Sequence, residues 1–464
     1  MYSASGRNLP TVHCVSHSDL DGLCAAAVVK QNFPQASVII TNYNKPIHTN
    51  KFKAGDTLFV TDFSLPFELF MDLRKRGLRI VWIDHHLSAI NQLTQQGWNC
   101  EGIRRTDYSG AMLTWMYFNP DRGFDVAPDV IKLVNWYDLW QHDKDPRIRP
   151  FNYGAGLWDL RPGYIAGDKF WNTMFSTGIG DKFLENVVKH GATIQEYVET
   201  LQKILCDDLA YHTQLKTEKG MRELMGMCIR PGNSSVFEHM DLHNIDATFT
   251  CQYLGGSARM YRCSVYSPDS KKEILDIAQQ FGGGGHPTAA GFSSTQFPFD
   301  PPSYKTPPKI SDTIAKYQKL YDLREKSAIL MRYANRGNGL TSRICGWHSN
   351  IEGIKCLAFN YYYLPEMISM IPTSMEIIDD AGDVPDLYVG YVMTNCGYYR
   401  CCAYPTSKSV DLDSMLQKLQ GAYMKKLDEV CYKCELINDG IWWYAKEPPI
   451  HIPINLNIDA KLVP

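Results

Sequence analysis

The 464-residue sequence predicts an α/β protein. A parallel sheet with helices on both faces leads into a helical connector, a smaller mixed α/β domain and an apparent diverged copy of that domain. Three observations predict this. Short β-type runs alternate with helical patterns over the first 140 residues, as parallel strands joined by crossover helices do. A polar helical stretch follows. Two later blocks then share an ordered echo, MYRCSVYS from Met260 against YYRCCAYP from Tyr398, each with a helical pattern downstream.

Residues 11–16 (TVHCVS) are β-rich, and the polar HSDLDG separates them from a small-residue helix at 23–31. Residues 37–41, 57–61 and 78–83 are strand-like, with a helical pattern at 66–76, and residues 110–118 and 128–136 read as further helices. The best connector stretch is 182–209. From about 225 to 292, short strands surround one helix at 271–281 and end in GGGGHPTAAGF. Residues 297–309 (FPFDPPSYKTPPK) read as a proline-rich linker. The expected domains are 1–190, the connector 191–222, 223–296, a linker with helix at 297–340, and 341–464 as the copy that lacks the glycine run. Upstream in the echo, the segment from Met227 pairs with the one from Lys355.

With 47 basic and 50 acidic residues the net charge is −3, which excludes a polybasic nucleic-acid binder and an acidic disordered tail. The 14 cysteines are scattered, no signal peptide shows in MYSASGRNLPTVHCV, and no run reaches the ~18 apolar residues of a membrane span. A soluble, reducing, cytoplasmic home with free thiols and no membrane contact is expected. Cys431 and Cys434 make one C-x-x-C pair, and with only Cys401 and Cys402 as candidate partners it falls short of a zinc site. Tyrosines cluster at 361–363 and 398–399, where burial in a sheet or subunit interface is favoured over stacking on bases.

Three β-type runs finish in acid. The first delivers His17, Asp19 and Asp21, the second Asp62, and the third Asp84 followed by His85 and His86; Asp138 follows the helical VIKLVNWYD. Strand carboxyl ends line the ligand crevice of an open α/β sheet, and the i, i+2, i+4 spacing puts His17, Asp19 and Asp21 on one side of an extended segment. So many carboxylates in one crevice need cations. Oxygen and imidazole donors without thiolate suit Mn²⁺, Mg²⁺, Fe²⁺ or Co²⁺ better than structural Zn²⁺. The ligands are too many for one ion, and a pair of ions activates water for in-line phosphoryl displacement. Any one of these acids would pass for a helix cap or turn residue; the set does not.

HSDLDG, the aspartate of VTDF, the DHH of WIDHH, and Asp138 resemble, in order, the four motifs of the DHH phosphoesterase superfamily. GGGGHPTAAGF resembles the signature of that family's C-terminal associated domain, so the resemblance covers roughly residues 10–295. The H-x-D-x-D-G form resembles RecJ-type exonucleases and nanoRNase relatives more than the pyrophosphatase branch. The resemblance implies one metal on His17, Asp19 and Asp62 and a second on Asp21, Asp62, His85 and Asp138, with Asp62 bridging. It implies His86 and Asp84 as the catalytic pair, His86 at the scissile phosphate and Asp84 orienting its neighbours. Ser109 takes the place of a small hydroxyl near the site, with a helix cap as its other reading.

Gly282, Gly283, Gly284 and Gly285 can present consecutive N–H groups to an anion, with His286 as a further donor. The resemblance implies that this loop grips phosphate or the terminal nucleotide. Where the family has Ser-x-Arg-Ser, this chain has Ser264, Val265, Tyr266 and Ser267. Tyr266 can stack on a base but brings no charge, and Arg262 and Arg259 are nearby candidates for it. The implied activity is hydrolysis of short single-stranded oligonucleotides to mononucleotides with two divalent cations, Mn²⁺ foremost and Mg²⁺, Co²⁺ or Fe²⁺ as alternatives. The alternatives are hydrolysis of a cyclic mono- or dinucleotide or a phosphorylated nucleoside, and a scaffold whose C-terminal block mediates protein interaction. A homodimer through that block is a further expectation.

Overall fold

The computed structural model describes residues 10–43, 45–229, 234–255, 260–269, 272–335, 344–351, 354–360, 375–377, 385–405, 435–437 and 440–445. The chain divides into two units, residues 1–196 and 197–464.

The first unit runs β1 (Val12–His17), α1 (Leu20–Asn32), β2 (Ser37–Thr41), β3 (Thr57–Thr61), α2 (Phe67–Lys75), β4 (Arg79–Ile83), α3 (Leu87–Gln95), α4 (Gly110–Phe118), α5 (Asp129–Asp138), α6 (Ile148–Ala155) and α7 (Ile165–Met174). The strands form one sheet in the order β2-β1-β3-β4, every pair parallel. The pleat sends alternate side chains to opposite faces. Cys14, Phe59, Val81 and Ile83 pack with Ala26 and Val29 of α1 and Leu113 of α4. Val15, Leu58, Val60, Ile80 and Trp82 pack with Phe70 and Leu73 of α2 and Leu93 of α3. Helices therefore cover both faces, which is why these strands read as nearly unbroken apolar runs. The C-A-A-A-V-V stretch of α1 is buried on two sides, Ala26 and Val29 against the sheet and Cys24, Ala25, Ala27 and Val28 against the cluster of Met112, Val130 and Phe151. Small residues let those neighbours approach closely.

After α8 (Ile179–Leu209), the second unit holds β5 (Tyr211–Thr217), β6 (Gly220–Met227), β7 (Ala247–Leu254), β8 (Met260–Tyr266), α9 (Leu275–Gln280), β9 (Gly284–His286) and β10 (Ala289–Ser294). Then come α10 (Ile310–Glu325), α11 (Ala328–Asn335), β11 (Ile344–Ile351), β12 (Ile354–Asn360), β13 (Met375–Ile377), β14 (Leu387–Met393), β15 (Tyr399–Pro405), β16 (Glu435–Ile437) and β17 (Gly440–Ala445). Two sheets result, β5-β6-β7-β8-β10-β9 and β13-β11-β12-β14-β15-β17-β16.

Apart from β13, the second of these sheets repeats the first strand by strand. Each opens on an antiparallel hairpin, continues with one parallel pair, and closes on three antiparallel pairs. The registers also superpose. Cys263 lies opposite Cys251 and Phe292, and Cys401 lies opposite Tyr391 and Trp443. This equates Tyr261-Arg262-Cys263 with Tyr399-Arg400-Cys401, as the echo has it. Following the ladder outward, Gly284, Gly285 and His286 correspond to Glu435, Leu436 and Ile437. The second sheet thus lacks the glycine run at the position where the first carries it.

Several expectations are corrected. The repeated unit begins at β5, so residues 211–222 are strand and turn rather than connector. The ladder sets Met227 against Phe359, not Lys355, because Thr250 and Gly390 are the matching partners in β7 and β14. Residues 297–309 are without helix or strand, yet they are no free linker: Phe299 is buried and stacks on Phe249 at 3.9 Å. The cysteines are not all free thiols. Cys251 and Cys263 form a disulfide across β7 and β8, while nine others, among them Cys401 and Cys402, are free. Tyr398 is buried against Tyr304; Tyr361–Tyr363, Cys431 and Cys434 lie outside the described residues. Among the described residues no helix is long and apolar enough to cross a membrane.

Candidate metal centre

In the sheet order β2-β1-β3-β4, successive connections leave β1 in opposite directions, and the crevice opens at the carboxyl ends of β1 and β3. His17 is the last residue of β1, Asp62 directly follows β3, and Asp84, His85 and His86 follow β4. Asp19 caps α1, accepting the Gly22 N–H at 2.9 Å. Asp21 lies in the first turn of α1, and Asp138 is the last residue of α5.

These side chains converge. His17 Nδ1 is 2.7 Å from Asp19 Oδ2 and 3.9 Å from Asp62 Oδ2. His85 Nε2 is 3.1 Å from Asp62 Oδ1, 3.4 Å from Asp138 Oδ2 and 3.9 Å from Asp21 Oδ2. Three groups bring their ligand atoms within 4.8 Å of one another: His17, Asp19 and Asp62; Asp21, His85 and Asp138; and Asp62, His85 and His86. Asp62 belongs to the first and third groups, and His85 ties it to the second. It is buried, its backbone is in the left-handed region at φ 50°, and neither carboxylate oxygen has a hydrogen-bond partner. A buried carboxylate without donors costs several kcal/mol unless something cationic compensates it. The donor set of oxygens and imidazole nitrogens fits hard and borderline divalent cations.

Asp84 is different. It is fully buried and saturated, accepting from the His85 and His86 N–H groups, His86 Nδ1 at 2.8 Å, Trp82 Nε1 and the Ser64 hydroxyl. It turns the β4–α3 corner and orients His86, whose Nδ1 is thereby occupied and whose Nε2 is left to act. Ser109 is fully buried, caps α4 by accepting the Met112 N–H, and donates its own N–H to Asn135 Oδ1. Its buried hydroxyl serves the helix cap and bonds the Asp21 carboxylate, so it supports the site without meeting an open surface. Asp21 accepts the Gly110 and Ala111 N–H groups at 2.6 and 2.9 Å, so its charge sits on the N-terminus of α4.

Burial, reinforced by the Asp21, Asp19, Asp138 and Asp84 carboxylates, pushes Asp62 well above the ordinary carboxylate range. Burial and the Asp21 and Asp19 charges push Asp138 up to about 8. Asp21 also rises, burial outweighing the pull of His85. Burial opposes ionisation of Asp19 and Asp84 as well, but the His17 hydrogen bond holds the first, and the His86 hydrogen bond the second, below their usual range. Burial pushes His85 down; it also opposes His86, which the Asp84 hydrogen bond nevertheless raises.

The sign for stability follows. A carboxyl raised on folding binds its proton more tightly in the native state, so stability falls as pH climbs from the unfolded range, about 4, through the raised value. His86 acts in the same direction and His85 against it, leaving the three raised carboxyls dominant. Metal-free protein is expected to melt at least about 5 °C lower at pH 8 than at pH 5, and millimolar Mn²⁺ at pH 8 to recover that loss. A metal-free melting temperature that stays level or rises over this window contradicts the assignment.

In the second unit Ser264 and Tyr266 fall on one face of the first sheet. Ser264 and Gly284 both lie opposite Gly291, and Tyr266 and His286 both lie opposite Ala289. The exposed Arg262, two residues before Ser264, falls on the same side, while Cys263 and Val265 point into the core. Arg259 lies outside the described residues. The glycine run is only partly an open nest. Gly282, at φ 72°, donates to Gln279 and Gly283 donates to Ala278, the paired bonds that terminate α9. A Cβ on Gly283 would meet Gly291 O at 2.3 Å and one on Gly285 would meet Ala289 O at 2.6 Å, whereas the space around Gly282 and Gly284 is open. Two of the expected anion donors are therefore spent on the helix end.

Three features of the first unit had no reading in the sequence. Gly110 is pressed against Asp62, the exposed Tyr43 stands beside His17, and the exposed Trp140 holds φ 55° just beyond Asp138.

No family model matches the chain. An uncharacterized protein, R106, of Acanthamoeba polyphaga mimivirus is 23% identical over 241 residues, which are 51% of this chain and 52% of that protein. The chain thus spans about half the length of this curated relative. Among solved structures it is similar to exonuclease RecJ bound to manganese, at 12% identity over 70% of this chain and 94% of that one, TM-score 0.36. It is also similar to RecJ of Thermus thermophilus in complex with Mn²⁺, at 11% identity over 94% and 68%, TM-score 0.36. An exopolyphosphatase-related protein from Bacteroides fragilis is 13% identical over 70% and 94%, TM-score 0.31. At these identities and scores the chemistry has to be read from the side chains themselves.

Proposed function

We propose that this chain is a two-metal phosphodiesterase of the DHH phosphoesterase superfamily that hydrolyses short oligonucleotides to mononucleotides. The observation that carries the proposal is Asp62, a buried carboxylate without a hydrogen-bond partner, grouped with His17 and Asp19 and tied by His85 to Asp21 and Asp138. His17, Asp19 and Asp62 would hold one cation and Asp21, Asp62, His85 and Asp138 the other. Two such ions, Mn²⁺ foremost, supply an activated water and neutralise charge on the phosphoryl oxygens.

The chain's own residues do the rest. Asp84 fixes the ring plane and tautomer of His86 by accepting from Nδ1. His86 Nε2 is then free to donate to a phosphoryl oxygen or to the departing hydroxyl. The Asp84 hydrogen bond raises the proton affinity of His86 against its burial, which favours the donor form. Asp21 and Asp138 would hold the second cation from two different helices. In the second unit, Ser264, Tyr266 and Gly284 of the first sheet make a candidate nucleotide-binding surface in their own right. A near-neutral net charge suits a short substrate rather than a long duplex gripped through many phosphates.

The test is full-length protein with Mn²⁺ and a panel of labelled di- and trinucleotides, longer single strands, a cyclic dinucleotide and a nucleoside bisphosphate. Mononucleotides released fastest from the shortest linear substrates are expected. Preference for the cyclic dinucleotide or the bisphosphate would replace the substrate assignment, and no hydrolysis of any would overturn the enzyme reading.

A further inference from the structure

The proposed reading leaves the substrate's base without a seat in the first unit, and one exposed aromatic there, its hydroxyl held by the Ser64 backbone, stands beside the metal centre. Tyr43 lies two residues beyond the end of β2, at the carboxyl edge of the sheet where the histidines and carboxylates gather. Its ring is stacked on Phe63, centroids 4.6 Å apart and planes at 27°. Phe63 itself is buried and immediately follows Asp62. The Tyr43 ring stands 5.8 Å from the His17 ring and meets the His86 ring edge-on at 6.4 Å. Despite these contacts 53% of the residue is exposed. One ring face is thus backed by Phe63 and the remainder is open to solvent beside the two histidines.

The segment is held in place. The Tyr43 N–H donates to Asn42 Oδ1 at 2.7 Å, and Asn42 Nδ2 reaches Ser18 Oγ at 3.4 Å, which ties the loop to the HSDLDG turn. The Ser64 backbone bond fixes the hydroxyl end of the ring, yet half of the residue stays exposed. A rigid, backed and half-open ring at the mouth of a phosphate-handling site is what stacking on a planar ligand requires. The base of a nucleotide lies one sugar away from its phosphate, the relation Tyr43 bears to His86.

Resting on the phosphodiesterase reading, we infer that Tyr43, backed by Phe63, is the stacking seat for the nucleobase next to the scissile phosphate. The seat selects for a base of any identity, because every base offers a π-face, and it adds no charge that would compete with the phosphate contacts.

The test compares a dinucleotide with its two abasic analogues, lacking the 5′-side or the 3′-side base, in full-length protein with Mn²⁺. Wild type is expected to show KM raised tenfold to about a hundredfold for one of the two analogues, the range a single base–aromatic stack produces, with kcat little altered. Y43A is expected to lose that discrimination by raising KM for the intact dinucleotide to the level of the analogue. Y43F, which keeps the ring, is expected to retain it within threefold. Y43A that still discriminates as wild type does, or wild type that hydrolyses all three alike, overturns the seat and leaves the phosphodiesterase reading standing. Wild type that hydrolyses none of the three overturns both.

Discussion

Asp62→Asn is expected to lower dinucleotide turnover at least about 10³-fold while leaving the melting temperature of the metal-free protein unchanged or raised. The two effects have one origin. Asp62 has no hydrogen-bond partner, and its burial, reinforced by four other carboxylates, pushes its proton affinity far up. In the metal-free fold a charge there is a liability, and a neutral amide of the same shape removes it. Asparagine also tolerates the φ of 50° that the position requires. On the proposed reading the same carboxylate would be the ligand shared by both cations, and its loss would remove several kcal/mol of charge stabilisation, each 1.4 kcal/mol being tenfold in rate. Opposite signs on activity and stability mark a functional rather than a structural residue. The check is kcat for a labelled dinucleotide alongside thermal melting in chelator; activity within tenfold of wild type contradicts the shared-ligand role.

Gly110→Ala is expected to destabilise the protein by about 1–3 kcal/mol and to abolish most activity, although it adds a single methyl group. A Cβ at position 110 would lie 2.4 Å from Asp62 Cβ and 2.9 Å from Asp62 Cα and Cγ. Neither side can yield cheaply. The α4 N-terminus is pinned by the Asp21 carboxylate, which accepts the Gly110 and Ala111 N–H groups, and Asp62 is pinned by its own N–H to Ile83. Overpacking at such a contact costs energy of this order, and any relief displaces either Asp21 or Asp62. Denaturant unfolding and turnover measured together test it: a variant with wild-type stability and activity would show that the helix end is not held against the site.

Much of this was legible in the sequence. The bounds of β2, β3 and α4 follow directly from β-branched and apolar runs with turn residues on both sides, and His17, Asp62, Asp84 and Asp138 lie at the strand and helix ends expected for them; Asp21, expected on an extended segment with His17 and Asp19, lies instead in the first turn of α1, which begins at Leu20 with Asp19 as its cap. Chemistry-bearing residues at strand ends are readable because the fold class dictates where strand ends go. What was not legible depends on tertiary approach. α3, α6 and α7 are short and are defined by the core they pack on. The hairpin β5–β6 reads as a polar continuation of the connector because its outer side chains are solvated, as in His212, Gln214 and Met221. The glycine run looks like a single phosphate nest, but φ at Gly282 and close contacts at Gly283 and Gly285 give those positions structural causes. Gly110 carries no pattern at all; only the distance to Asp62 gives it meaning. The echo between the two later blocks survives as a shared strand order and register even where Glu435, Leu436 and Ile437 stand in place of glycine, glycine and histidine, since backbone ladders tolerate substitutions that a ligand site does not.

The central claim is that two cations share Asp62. Titrating metal-free full-length protein with Mn²⁺ and following bound metal by electron paramagnetic resonance tests it most directly. Two Mn²⁺ per chain with magnetic coupling between them are expected for wild type, and loss of that coupling in Asp62→Asn. A single bound ion, or two uncoupled ions unaffected by Asp62→Asn, would contradict it.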